Sequence, residues 1–159
     1  MKRQMLLAAG IALAATSAQA DIIAPDDVAM NEYGEVAESL TGQPGDPARG
    51  LEVIVSRSAG NCIACHQATA LEEYPWHGEV GPSFDGVGAR WDEAALRGIL
   101  VNADMMFPDS VMPSFYRVSG FTRPGNAYTG TAAEGPLDPL LSAQAIEDVI
   151  AYLMTLTDY

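Results

Sequence analysis

Residues 60–66 read Gly-Asn-Cys-Ile-Ala-Cys-His, and this stretch contains both cysteines of the 159-residue chain. A C-x-x-C-H pentapeptide is the pattern that attaches c-type haem. Two thiols three positions apart on a helical turn can reach one porphyrin edge, and the adjacent histidine is then carried beneath the iron as proximal ligand. Cys62, Cys65 and His66 are therefore predicted to bind one haem.

Three other uses of this pentapeptide fit the rest of the chain less well. A redox dithiol of the thioredoxin type needs a βαβ context, for which the sequence gives no signal. A structural zinc site needs four ligands, and beyond Cys62, Cys65 and His66 the only further His or Cys is His77. A simple disulfide would leave His66 without a role.

The second axial ligand of the iron is predicted to be Met112. It stands in the irregular stretch Asp-Ser-Val-Met-Pro of residues 109–113, from which a thioether can reach the second haem face. Methionine is also a common core filler, and Met154 lies beside the apolar stripe of the last predicted helix. The alternatives left open are Met30, Met105, Met106, Met154, His77 and an open site that solvent can reach.

The Gly81-Pro82 pair downstream of the pentapeptide predicts support for the proximal histidine. A carbonyl there, assigned to Pro82, can accept the Nδ1 proton of His66, which leaves Nε2 free for iron. The alternative is an ordinary Gly-Pro turn.

Helical periodicity flanks the motif on both sides. Asp46-Pro47 predicts the start of a helix that ends near Gly60-Asn61, and Gly50 inside it indicates close backbone packing. A second helix is expected over residues 92–102, and a last one from Ser142 as N-cap to about residue 157. A further helical piece over residues 28–40 is considered.

The segments between these helices are long and rich in glycine and proline. Loops as long as residues 67–90 and 103–141 are unusual in a compact domain unless they wrap a bound group. The sequence therefore predicts an all-α fold of three to four helices wrapped around one covalent haem, with long loops.

Residues 1–20 have a short basic start, an apolar run and an Ala-Gln-Ala end. This pattern predicts a cleaved secretory signal peptide and, with it, a periplasmic protein; an uncleaved anchor and an extracellular destination are the alternatives. The remaining chain divides into an acidic N-terminal arm, residues 21–45, and a monohaem domain, residues 46–159.

The charge of the chain is strongly negative, with 21 acidic groups against 8 Lys plus Arg and a formal net charge of −13. Nucleic acids and anionic membrane surfaces attract clustered cations, so neither is predicted as a partner. After the leader no run of 18 apolar residues follows, and no membrane insertion of the cleaved chain is expected.

Taken in order, the pentapeptide, Gly81-Pro82, Met112-Pro113 and a closing helix at residues 148–153 resemble class I cytochrome c across residues 46–158. More narrowly, residues 60–66, 107–117 and 141–156 resemble the SoxX family, the monohaem subunits of the thiosulfate-oxidising SoxAX cytochromes. The resemblance implies one covalent haem c with His66 and Met112 as axial ligands. It also implies a SoxA-type partner subunit.

Such complexes join thiosulfate oxidatively to a cysteine of the carrier SoxYZ. The thiol chemistry is assigned to the SoxA haem, and the SoxX haem takes up electrons for a downstream acceptor. The chain has no third cysteine, which fits a non-catalytic electron-transfer subunit of an L-cysteine S-thiosulfotransferase. A free-standing electron shuttle and a ligand-binding haem with an open sixth site are the alternatives. Residues 125–139 form an acidic insertion that departs from the family pattern.

Overall fold

The computed structural model describes residues 21–126 and 128–158. The predicted signal peptide and its cleavage site lie outside the described residues. Within these residues the α-helices are α1 Pro47–Val55, α2 Val87–Arg90, α3 Glu93–Asn102 and α4 Ala143–Leu153. In the described part of the chain, β pairing is limited to one isolated bridge between Gly125 and Ala132. The predicted all-α fold is confirmed.

Two of the three longer helices begin at the predicted capping residues, Asp46 and Ser142, and the third is capped by Asp92, which was predicted only as the start of that helix. The Asp46 carboxylate accepts a hydrogen bond from the Ala48 N–H at 2.8 Å, Asp92 accepts from Ala95 at 2.9 Å, and the Ser142 hydroxyl accepts from Ala145 at 3.2 Å. Each cap satisfies one of the N–H groups that the first helical turn leaves without a partner. The C-terminal ends come earlier than predicted, at Val55 and Leu153.

The packing of α1 against α4 depends on Gly50. A Cβ atom at Gly50 would lie 2.0 Å from the carbonyl oxygen of Asp148, so only glycine lets the two backbones approach this closely. The close backbone packing predicted for Gly50 is thereby confirmed. The largest fully buried side chains belong to one hydrophobic core, and they are Val36, Leu40, Ile54, Leu71, Ile146, Val149 and Ile150.

The helix considered over residues 28–40 does not form, and this expectation was wrong. Only Pro25–Asp27 makes a single 3₁₀ turn in the arm. Gly34 has a φ of +83°, which is outside the helical region. Its carbonyl oxygen packs so closely on α3 that a Cβ atom at Gly98 would lie only 2.0 Å from it. The arm is therefore shaped by its contact with α3 and not by its own helical preference.

A buried ion pair holds this arm to the helices. Arg97 and Glu147, which are 3% and 5% exposed, face each other with Nε–Oε1 and Nη2–Oε2 distances of 2.8 and 3.0 Å. The Leu40 N–H also donates to Glu147 at 2.8 Å, and Arg97 donates to the Val36 carbonyl at 2.9 Å. The arm thus places Val36 and Leu40 in the common core, while a domain boundary at residues 45 and 46 stays a prediction.

A second carboxylate on α4, Asp148, joins the start of α1 to the same helix. Burial alone would raise the pKa of Asp148, but hydrogen bonds from Arg49, Gln144 and the Asp46 N–H outweigh it and leave the pKa below its ordinary value.

No helix in the described part of the chain has the length and apolar character needed to span a bilayer.

Candidate haem site

A largely apolar cavity of about 500 Å³ lies between the region of the pentapeptide and the loop that carries Met112. Its volume falls within the roughly 300–1,000 Å³ that cofactor sites occupy. Its lining includes Cys65, Pro82 and Met112 together with side chains of α3. Of the residues predicted to hold a haem, Cys65 and Met112 meet at this cavity with the supporting Pro82, whereas Cys62 and His66 are not among the residues that line it.

The pentapeptide forms a tight turn at the edge of this cavity. Cys62–Ala64 is a 3₁₀ turn, and the N–H groups of Cys65 and His66 both donate to the Cys62 carbonyl, at 3.1 and 3.0 Å. Both thiols are free, with Cys65 exposed and Cys62 half-buried. Burial raises the pKa of Cys62 to about 12, so this thiol is protonated at neutral pH.

The ring of His66 is fixed on two sides. Its Nδ1 lies 2.7 Å from the Pro82 carbonyl oxygen, to which Nδ1–H donates, and the ring stacks on Phe84 with a centroid distance of 4.5 Å. A Cβ at Gly81 would lie 2.2 Å from Cε1 of His66, so the ring occupies the space that only glycine leaves. This tautomer keeps the Nε2 lone pair available, as a proximal haem ligand requires.

Met112 is half-buried and packs against the core from a loop that is pinned at several points. Its N–H donates to the Ser110 hydroxyl at 3.2 Å, and the Ser114 hydroxyl donates to Asn102 at 2.9 Å. The Phe115 N–H then donates to the Leu100 carbonyl at 3.0 Å, which ties the loop to α3. These contacts hold the thioether beside the cavity.

The other candidates for the second axial position lie elsewhere. Met30, Met105, Met106, Met154 and His77 are absent from the residues that line the cavity. Met105 is 53% exposed, and Nδ1 of His77 accepts a hydrogen bond from the Ala68 N–H at 3.3 Å. The arrangement favours Met112, and its role as a ligand stays a prediction, as do those of Cys62, Cys65, His66 and Pro82.

Several lining residues were not predicted individually from the sequence. Phe107 lines the cavity and makes an edge-to-face contact with Trp91 at 6.0 Å between ring centroids. Leu96 and Ile99 contribute from α3, and the apolar face of that helix was the sequence signal for them. Nothing in the local sequence marks Phe107, because its place depends on the path of the 103–113 loop.

The loop below His66 is held in place by Asp85. The pKa of Asp85 is lowered by hydrogen bonds from the N–H and hydroxyl of Thr69, both at 2.8 Å. Arg90 also lines the cavity, and its guanidinium donates to the carbonyl oxygens of Ser83 at 2.7 Å and of Asp85. These contacts anchor the residues that follow Pro82.

Replacing Gly81 with alanine tests how His66 is seated. The added methyl group would meet the His66 ring at 2.2 Å, so the ring must leave the Pro82 carbonyl. We expect Gly81→Ala to lower the free energy of unfolding by about 1–3 kcal/mol and to alter the visible spectrum of the haem-loaded protein. Pro82→Ala is the control, because it keeps the backbone carbonyl and is expected to preserve the spectrum. An unaltered spectrum in Gly81→Ala would contradict this seating of His66.

Comparison with known proteins identifies the family. The family model for cytochrome c matches residues 55–157. A crystal structure of SoxXA from P. pantotrophus contains a chain that is 49% identical, with a TM-score of 0.80, over 85% of this chain and 98% of that chain. No curated protein sequence matches. The Cys62–His66 motif fits the covalent attachment of haem c, which is the cofactor of this family. The two matches show that the chain belongs to the cytochrome c family, as a class I cytochrome of the SoxX type.

Proposed function

We propose that the protein is the electron-accepting subunit of a SoxAX-type complex that couples thiosulfate to a cysteine of a carrier protein. The observation that carries this proposal is the 49% identity with a chain of the SoxXA structure, extending over 98% of that chain. Export by the predicted signal peptide, residues 1–20, places the complex in the periplasm. The expected partners are a SoxA-type subunit, the SoxYZ carrier and a downstream electron acceptor.

The residues around the cavity are suited to hold a haem without leaving room for a substrate at the iron. The thiols of Cys62 and Cys65 would form the two thioethers, His66 would present Nε2 from its place on Gly81 and Pro82, and Met112 would cover the opposite face. When bound, haem c supplies a one-electron carrier whose reduction potential is raised by methionine ligation. With His66 and Met112 as ligands, the protein would occupy both axial positions, and this favours electron transfer over the binding of an external ligand.

The chain itself contributes no group for the thiol chemistry. Cys62 and Cys65 are its only cysteines, and both are assigned to thioether bonds with the haem, which leave no free thiol. The cysteine chemistry therefore belongs to the partner subunit and the carrier.

A free-standing electron shuttle is the second candidate. The net charge of −13 favours this function, because a strongly negative protein can be steered to a basic redox partner without a permanent complex. The two candidates differ in whether a stable complex exists.

Activity and complex formation with purified proteins test the proposal. The haem-loaded chain alone is expected to show no thiosulfate-conjugating activity above buffer, and the same chain with its SoxA-type subunit is expected to be active and to elute as one species. Turnover by the isolated chain would refute the electron-accepting role. Separate elution of the two chains at micromolar concentration would favour the shuttle.

A further inference from the structure

Trp76 is displayed to solvent in a strained backbone conformation. Its side chain is 77% exposed, and its φ is +74°, in the left-handed region that glycine adopts without cost. A bulky residue with positive φ is a true outlier, and such strain collects at functional sites. Folding alone gives no reason to keep tryptophan there, since the side chain buries little of its surface.

The strain is maintained because the residues around Trp76 are fixed. The Tyr74 N–H donates to the Leu71 carbonyl at 2.9 Å, and the Gly78 N–H donates to the Ile63 carbonyl at 2.8 Å. A Cβ at Gly78 would lie 2.0 Å from the Ala64 oxygen, so the loop lies directly on the pentapeptide turn. Trp76 is thus held on a rigid support, and little conformational entropy is lost when a partner binds to it.

A pocket of about 340 Å³ lies beside the indole. Its apolar lining includes Val55, Ile63 and Tyr74, and Arg57 also lines it. Within residues 21–126 and 128–158, Arg57 is exposed and makes no ion pair, although the chain has 21 acidic groups. This arginine is therefore available to a carboxylate from outside the chain.

We propose that this Trp76 pocket is a docking point for the partner subunit, an inference that rests on the proposed function. The partner inserts an apolar side chain against the indole and sets a neighbouring carboxylate on Arg57. Tryptophan and arginine are the residue types most enriched among interface hot spots. The negative charge of the chain repels carboxylates in general, so the Arg57 pair also fixes the register of docking. Two copies of so acidic a chain repel each other, which disfavours self-association.

Replacing Trp76 with glycine separates a binding role from a structural one. In the haem-loaded chain, Trp76→Gly is expected to weaken the affinity for the organism's own SoxA-type subunit by about 30-fold or more. The same variant is expected to melt roughly 2–4 °C higher, because glycine relieves the strain. A tryptophan with a purely structural role would give the opposite result, with unchanged affinity and a lower melting temperature.

Arg57 and an unrelated aromatic residue complete the experiment. Arg57→Glu is expected to lower the affinity about tenfold or more, with a larger effect at low salt, and Arg57→Lys to recover part of it. Tyr128→Ala is the control, since Tyr128 is 98% exposed and lies outside the pocket, and it is expected to bind normally.

Three outcomes of isothermal titration calorimetry and analytical ultracentrifugation overturn the inference. If the unmodified chain binds its SoxA-type subunit and Trp76→Gly binds it equally well, the docking point is wrong while the proposed function stands. If the unmodified chain does not bind that subunit, the proposed function fails and the inference with it. If the chain forms a dimer that Trp76→Gly dissociates, a second copy occupies the pocket and the assigned partner is wrong.

Discussion

Replacing Met112 with alanine is expected to yield a protein that keeps its haem but binds carbon monoxide or imidazole. The thioether is the one candidate second axial ligand beside the cavity, and its removal leaves that side of the haem open to small ligands. The Met-to-iron charge-transfer band at the red end of the oxidised spectrum should disappear. The reduction potential should fall by on the order of 100 mV, a small part of the about 0.8 V range that axial ligands span.

Met105→Ala is the matched control, because Met105 is 53% exposed and does not line the cavity. Its spectrum and potential are expected to match those of the unmodified protein. Unchanged spectra in Met112→Ala, or loss of the charge-transfer band in Met105→Ala, would show that another residue is the axial ligand.

The second large effect is expected at Glu147. Glu147→Ala leaves the Arg97 guanidinium buried without its carboxylate and removes the acceptor of the Leu40 N–H. Breaking one side of a buried pair costs about 3–5 kcal/mol, a large part of the roughly 5–15 kcal/mol that stabilises a domain. Urea unfolding followed by circular dichroism should show the midpoint at much lower denaturant.

Glu93 provides the control on the same arginine. Its carboxylate lies 3.8 Å from Arg97 and its side chain is 67% exposed, so Glu93→Ala is expected to cost less than about 1 kcal/mol. The double variant Arg97→Met with Glu147→Leu removes both charges and should recover much of the loss. Equal destabilisation by Glu93→Ala and Glu147→Ala would contradict a dominant buried pair.

The features that local sequence predicted correctly are those that depend on neighbouring residues. Asp46 and Ser142 cap their helices because a short polar side chain before an apolar run satisfies the first N–H groups wherever the helix packs. The turn at Cys62–His66 also depends only on adjacent residues, because its hydrogen bonds join residues three and four positions apart. The hydrogen bond between His66 and Pro82 could also be anticipated, because the imidazole Nδ1–H needs an acceptor and the Pro82 carbonyl supplies one.

The features that could not be predicted depend on contacts between distant parts of the chain. The sequence allows a helical piece over residues 28–40, but the contact of Gly34 with Gly98 gives the arm another path. Helix α4 ends at Leu153 although apolar residues continue, because the following backbone turns to meet α2, where the Gly88 N–H donates to Leu156. Contacts between distant parts of the chain likewise bring Phe107 to the cavity and hold Trp76 at a positive φ.

The link between Glu147 and Leu40, which are 107 residues apart in the chain, has a consequence for the order in which the molecule assembles. Helix α4 follows α1, α2 and α3 in the chain, and before it docks the Arg97 guanidinium lacks its buried carboxylate and the Leu40 N–H lacks its acceptor. Contacts between such distant residues form late in folding because closing a long loop costs entropy. The cysteines of the pentapeptide lie between α1 and α4 in the chain, so we expect a porphyrin to reach them before α4 docks.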